Sequence, residues 1–338
     1  MSLTPPPPAP IRKETPVRGN PFPLHIQKDL QRVEQHLQSL GSLEDHPLAS
    51  IVLKYVLENS GKRVRPALTL MTGALYDCDL DRLVTLASAV ELLHTATLLH
   101  DDTVDNSDLR RGRPTVNSLW GAGRAVLLGD YVFSKSAHLV ASLGIGRLIG
   151  LFADTLMTIS MAELEQTLKD FQIKKKREAY FQWISGKTAC VFAMASESGG
   201  ILSLAPEEHV AALREYGMHL GMAFQIVDDI LDFTGEQKQM GKPVGSDLMQ
   251  GALTLPVILL LESEPANDAV RTIYESRGNP PSISPVLDRI LNSPILPECY
   301  RIAAEQCGSA RAALRVLPQR PIRRALDELA EFVVERRR

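Results

Sequence analysis

The stretch "LLHDDTVDNSDLRRGRP" (Leu98–Pro114) puts Asp101, Asp102, Asp105 and Asp108 within eight residues, at the end of an apolar run. Residues four apart share one face of a helix, with Cβ atoms ~6 Å apart, so Asp101 and Asp105 repel each other there. Asp102 adds a third charge at the edge of that face. The C-terminal end of a helix also carries the negative pole of its dipole, which disfavours further negative charge. A second stretch, "FQIVDDILDFTG" (Phe224–Gly235), repeats the spacing with Asp228, Asp229 and Asp232. One such cluster could be an exposed helix end. Two matching clusters, each closing an apolar helix, need a cation to offset them. Carboxylates without histidine or cysteine suit a hard divalent ion, and Mg²⁺ in particular bridges carboxylates to phosphate oxygens.

Basic residues stand where phosphates would need them. "SGKRVRP" supplies Lys62, Arg63 and Arg65, and Arg110, Arg111 and Arg113 follow the first acid cluster. "SGKTA" adds Lys187 and Thr188, and "MGKPVG" adds Lys242. Arginine forks match phosphate oxygens bidentately, and lysine supplies a point charge. Gln225 lies one turn before Asp228, and His94 two turns before Asp101, so each can share a face with its cluster. "KKKR" (Lys174–Arg177) reads as a solvated loop or helix start.

The rest of the chain says where these groups sit. Ile26, Leu30, Val33 and Leu37 follow helical spacing, and a second helix is predicted to end near a capping Gly61. "DLDRLVTLASAVELLHTATLLHDDTVD" starts at Asp79 or Asp81 and is apolar on nearly all sides, which predicts a central helix. Further helices are predicted around 123–142, 147–170, 177–197, 206–233, 252–262, 283–292, 297–313 and 320–337. No segment shows the alternation of a sheet. The expectation is an all-α, single-domain helical bundle over 24–338, with a Pro-rich, disordered leader over 1–23. The 338 residues include 44% hydrophobic side chains, enough for a sizeable core. A net charge of -3 argues against a nucleic-acid partner. Arg147 and Asp154 interrupt the most membrane-like segment, Leu139–Ser160, so no span is expected. Cys78, Cys190, Cys299 and Cys307 lack zinc spacing and read as reduced thiols of a cytoplasmic protein.

From about residue 48 to 260 the chain resembles the trans (E-type) isoprenyl diphosphate synthases. The ordered blocks are "GKRVRP", "ELLHTATLLHDDTVDNSDLRRGRPT", "AVLLGDYVFSKSA", "SGKTA", "FQIVDDILDFTG" and "GKPVGSDL". The resemblance implies a central catalytic cavity, a homodimer, and about three Mg²⁺ (Mn²⁺ as a substitute) held by Asp101, Asp102, Asp105, Asp228, Asp229 and Asp232. It also implies that Arg110, Lys187, Thr188, Gln225 and Lys242 contact an allylic diphosphate. Lys62, Arg65, His94 and Arg111 would hold isopentenyl diphosphate. The catalytic set would be Asp101, Asp105, Lys187, Asp228 and Asp229. One departure is Ala252, in "GALTLPV", where the family often has lysine.

Short-chain members of that family place an aromatic residue five before the first aspartate. Here it is Ala96, with Thr97 beside it and Leu93, Ala89 and Ser88 expected on the same helical face, about one and two turns deeper. From Ala96 to Ala89 is ~10 Å of helix, room for about two further prenyl units where facing helices leave the space open; otherwise Phe133, Phe152, Met157 or Met161 would supply the floor. A long all-trans product of about C30–C50 is therefore expected, with geranylgeranyl diphosphate as the main alternative. A terpene cyclase would replace the second aspartate cluster and lack the isopentenyl diphosphate residues. A non-catalytic regulatory subunit would have lost an acid cluster.

Overall fold

The computed structural model describes residues 21–43, 45–58, 61–168, 176–235, 244–276 and 282–335. Lys242, residues 1–20 of the leader, and residues 174–175 of the basic run lie outside them. The chain divides into two compact units. One comprises Met1–Phe152, Ala195–Val210 and Pro318–Leu326; the other comprises Ala153–Met194, Ala211–Leu317 and Asp327–Arg338.

The helices at the N-terminal end are α1 (Leu24–Leu40), α2 (Pro47–Glu58), α3 (Val64–Gly73) and α4 (Leu80–Val104). A two-stranded ribbon, β1 (Leu109–Arg110) and β2 (Arg113–Pro114), follows, then α5 (Val116–Trp120), α6 (Ala122–Ser142) and α7 (Gly146–Leu168). Next come α8 (Arg177–Ile184), a π-helical turn (Ser185–Ala189), α9 (Cys190–Leu202) and α10 (Glu207–Thr234). Six more follow among the described residues: α11 (Ser246–Met249), α12 (Leu255–Ser263), α13 (Asp268–Glu275), α14 (Ser284–Leu291), α15 (Ile295–Ala313) and α16 (Pro321–Glu335).

The first unit is built on α4. Asp79 caps it, its carboxylate accepting from the backbone N–H groups of Asp81 and Arg82. Such a cap is worth about 1 kcal/mol. Leu83, Leu86, Ala87, Val90 and Leu93 are all buried, because α1, α3 and α6 pack around this helix. Small residues let α6 come close. The Ser136 hydroxyl donates to the carbonyl of Ala89 at 2.7 Å. A Cβ on Gly129 would fall 2.3 Å from the His100 ring. By length and hydropathy α4 could cross a membrane, but 67% of that window is buried inside the protein, as in a core helix.

In the second unit Tyr180, Ile184, Ile226, Ile230, Phe233, Leu255, Ile258 and Ile302 form part of one apolar cluster. Each fully buried aliphatic side chain there contributes about 1.5–3 kcal/mol.

The all-α architecture stands, with three local corrections. The sequence pattern predicts no strand, yet Leu109–Pro114 forms the ribbon, whose two-residue strands are too short to show alternation. Gly61 does not cap α2, which ends at Glu58. The pattern also omits the helix at Asp268–Glu275. Asn267 caps it through Val270 N, and it buries Val270, Ile273 and Tyr274.

Candidate active site

In the first unit, the apolar run of α4 carries the acid cluster to its last turn. Asp102 is buried, and Arg110 Nε donates to its Oδ1 at 2.7 Å. Asp105 is the exposed C-cap residue, and Asp101 is half-buried. Arg110 and Arg113 pair across the ribbon, leaving Arg111 and Gly112 as a two-residue turn. Both turn residues have positive φ, +53° and +72°, as the tight hairpin types with matching twist require.

Four arginines of this unit, Arg63, Arg65, Arg110 and Arg111, act on His94. Arg65 Nη1 donates to His94 Nε2 at 3.0 Å. A guanidinium cannot accept, so this nitrogen carries no proton. Desolvation, then the charges of Arg65, Arg111, Arg110 and Arg63, hold the imidazole well below its ordinary value. His94 is thus neutral within an arginine-rich field suited to an anion. Arg63 is committed elsewhere. It takes left-handed geometry (φ +51°) ahead of α3 and forms ion pairs with Glu91 of α4 and Glu34 of α1. Burial alone would depress this guanidinium, but the two glutamates raise its proton affinity.

In the second unit the π-helical turn lifts Lys187 and Thr188 out of regular helical register. Turns of that kind recur at functional sites. Gly186 permits α7 to approach, since a Cβ there would lie 2.9 Å from the Ala162 Cβ. The next residue on α7, Glu163, meets Lys187 Nζ at 2.5 Å. The same ammonium lies 5.8 Å from the centre of the Trp183 ring, within cation–π range.

A line of hydrogen bonds leads from this turn to the second acid cluster. Thr188 Oγ1 donates to Gln225 Oε1 at 2.7 Å, and Gln225 Nε2 donates to Asp229 Oδ1 at 2.8 Å. From the other side, Tyr180 donates its hydroxyl proton to Asp229 Oδ2 at 2.6 Å. Tyr180 and Asp229 are each 1% exposed. Burial, joined by the charges of Asp247 and Asp228, pushes the Asp229 carboxyl well above the usual carboxylate range, against those two hydrogen bonds. Burial and Asp229 likewise raise the Tyr180 phenol, keeping it a donor. Asp232 is buried too, accepting from Ser246 Oγ at 2.9 Å and from Asp247 N at 3.3 Å. Asp228 is half-buried. Ala252 bonds through its backbone N–H to the Asp247 carbonyl at 2.9 Å.

The two clusters therefore differ internally. Asp102, Asp229 and Asp232 are buried against protein donors, whereas Asp101, Asp105 and Asp228 keep more exposed surface. Among the described residues, no three His, Cys, Asp or Glu side chains converge to hold a metal unaided. Each donor set taken by itself suits a hard, partly hydrated ion and not a closed protein cage.

The chain-length positions separate by face. Ser88 turns to α1, where its hydroxyl meets His36 Nδ1 at 3.0 Å, so it does not share the face of Ala89 and Ala96. Ala96 and Ala89 are 2% and 0% exposed, so little vacant space touches either one. Thr97 is half-buried and donates to the His94 carbonyl. Sequence reasoning missed Tyr180, Glu163 and the packing role of Gly61. Only Gly61 left a usable signal, standing directly before the Lys62–Arg65 run.

An all-α fold with aspartate clusters closing apolar helices defines the isoprenoid synthase class. The family profile described as Polyprenyl synthetase matches residues 46–288. Heptaprenyl diphosphate synthase component 2 of Geobacillus stearothermophilus is 35% identical over 92% of this chain and 97% of its own length. The crystal structure of a decaprenyl diphosphate synthase from Rhodobacter capsulatus superposes with a TM-score of 0.85 at 37% identity, covering 93% of this chain and 98% of the other. A polyprenyl synthase from Caulobacter crescentus, complexed with calcium and isoprenyl diphosphate, gives 0.87 at 32% identity, with 93% and 96% covered. The chain belongs to the polyprenyl synthetase family.

Proposed function

We propose that the chain is a trans-prenyltransferase that condenses isopentenyl diphosphate with an allylic diphosphate to make a long-chain, all-trans polyprenyl diphosphate. The carrying observation is the neutral His94 set among Arg65, Arg110 and Arg111, beside an acid cluster whose exposed members are Asp101 and Asp105. That array supplies a diphosphate site and a metal-facing edge from two helices, α3 and α4, and one ribbon. The long-chain products named for the heptaprenyl and decaprenyl relatives support the product class. Geranylgeranyl diphosphate is the alternative product.

Asp101, Asp105 and Asp228 are the proposed metal-facing carboxylates. Asp102, Asp229 and Asp232 are instead held by protein donors: Arg110, the Tyr180–Gln225 pair, and Ser246 with the Asp247 backbone. When bound, Mg²⁺ neutralises the diphosphate that leaves as the allylic C–O bond ionises. Lys187 adds a point charge there, exchanging Glu163 for a diphosphate oxygen. Arg110 holds Asp102 and borders the same anion. Thr188 and Gln225 orient Asp229, and Lys242 is proposed to contact the allylic diphosphate. Lys62, Arg65, His94 and Arg111 hold isopentenyl diphosphate so that its double bond meets the allylic cation at short range. The departing diphosphate takes the proton lost from the new C–C unit, so no protein nucleophile is required. Ala96, Thr97 and Ala89 are the proposed chain-length positions; Ala96 and Ala89 are packed over, so a growing chain reaches them only by displacing the side chains against them.

A second copy of this chain is the proposed partner, supported by the exposed apolar face of α6 at Val126, Leu127 and Tyr131. The component 2 relative supports a heteromeric partner as the alternative. A reduced, cytoplasmic setting is proposed from the four free thiols.

The test is Asp101→Ala and Asp228→Ala, with and without a chelator. Each should lower turnover by about 10²-fold or more while the helical circular dichroism stays native. Wild-type rates in these variants would rule out the metal-facing roles.

A further inference from the structure

We propose that Gly61 is a positioning residue for Arg111, keeping open the space that the guanidinium fork must occupy to bind isopentenyl diphosphate. The inference rests on the reading of Arg111 as part of that substrate's site. A Cβ at position 61 would lie 2.5 Å from Nη2, 2.6 Å from Nη1 and 2.7 Å from Cζ of Arg111. All three distances are shorter than any real Cβ contact, so the flat face of the guanidinium lies across the glycine. Any other residue at 61 moves the fork.

The backbone behind Arg111 cannot adapt in its place. Arg111 is one of two positive-φ residues in the ribbon turn, and Arg110 is tied to Asp102. The ribbon is fastened at its base. Tyr55 donates its hydroxyl proton to the Pro114 carbonyl at 2.7 Å, Arg113 lies 4.5 Å from the centre of the Tyr55 ring, and Thr115 N donates to the Asp108 carbonyl at 2.9 Å. A side chain at 61 therefore redirects a long, flexible side chain and leaves the ribbon in place. Binding suffers more than stability. Gly61 also adjoins Lys62 and precedes Arg65 by four residues, so its spacing sets where Arg111 meets the other cations.

The experiment compares Gly61→Ala, Arg111→Ala and the double variant by initial rates with each substrate, and by calorimetric titration of isopentenyl diphosphate alone. Gly61→Ala should weaken isopentenyl diphosphate about ten-fold or more, as expected for one lost charge-assisted contact. The KM for the allylic diphosphate should not change, and Gly61→Ala should add nothing in the Arg111→Ala background. Wild-type affinity in Gly61→Ala beside weakened binding in Arg111→Ala would overturn the role of Gly61 and leave the functional reading standing. Wild-type affinity in Arg111→Ala would overturn the functional reading itself. If Gly61→Ala also lowers thermal stability, Arg111→Lys decides. A lysine head has no fork to cross the Cβ, so the ten-fold effect of Gly61→Ala should disappear in that background. Its persistence would overturn the proposal.

Discussion

Tyr180→Phe removes one oxygen and leaves the ring in place. The lost group is the donor to Asp229 Oδ2 at 2.6 Å, where both partners are 1% exposed. Phenylalanine fills the same ring volume, so no cavity contributes to the cost. What remains is a buried acceptor short of one donor, which costs about 1–3 kcal/mol. Burial keeps solvent from replacing the phenol, so the cost should fall in the upper half of that range. Gln225 Nε2 still donates to the other carboxylate oxygen. The assay is urea unfolding of wild type, Tyr180→Phe, Asp229→Asn and the double variant, followed by circular dichroism. The account predicts a coupling of about 1 kcal/mol or more between the two sites. Unchanged stability in Tyr180→Phe, or the same cost in the Asp229→Asn background, would refute the link between phenol and carboxylate.

Three further predictions bear on other parts of the molecule. Ala96→Phe should shorten the product to about C20 or less, and should cost about 1–3 kcal/mol of stability because Ala96 is already closely packed. Ser88→Phe, pointing to His36, should destabilise without shortening; product sizing by reversed-phase chromatography checks both, and an unchanged length in Ala96→Phe would sink the path along α4. His94 sets a pH dependence. Its folded value lies well below the ordinary 6.5, so below that pH the unfolded chain binds a proton that the folded chain refuses, and stability falls as pH drops, by up to about 1.4 kcal/mol per unit. Urea titrations at about pH 7.5 and 5.5, on either side of the unfolded imidazole's range, should show a smaller loss in His94→Gln than in wild type, and an equal loss would contradict the neutral imidazole.

Much of the architecture was legible because it rests on local pattern. The 3.6-residue spacing in α1, the Asp79 cap of α4 and the all-round apolarity of α4 each follow from nearby residues. The acid clusters were legible for the opposite reason: local electrostatics oppose them, so they stood out. What the sequence concealed depends on distant packing. One of the two donors to Asp229 is Tyr180, 49 residues away, and the partner of Lys187 is Glu163 on the preceding long helix. The six aspartates look alike in sequence. Burial divides them, because the donors from the ribbon, α8 and α11 meet Asp102, Asp229 and Asp232. Gly61 shows how a correct residue can be misread. It lies beyond a helix end, as a cap would, but its missing side chain serves Arg111 from the ribbon.

The central claim is chain elongation, and one measurement addresses it directly. Purified protein is incubated with radiolabelled isopentenyl diphosphate, farnesyl diphosphate and Mg²⁺, and the extracted products are dephosphorylated and sized. The account predicts label in an all-trans polyprenol series ending at about C30–C50, abolished by chelation. Absence of labelled polyprenol from folded protein, or label confined to a cyclic hydrocarbon, would contradict it.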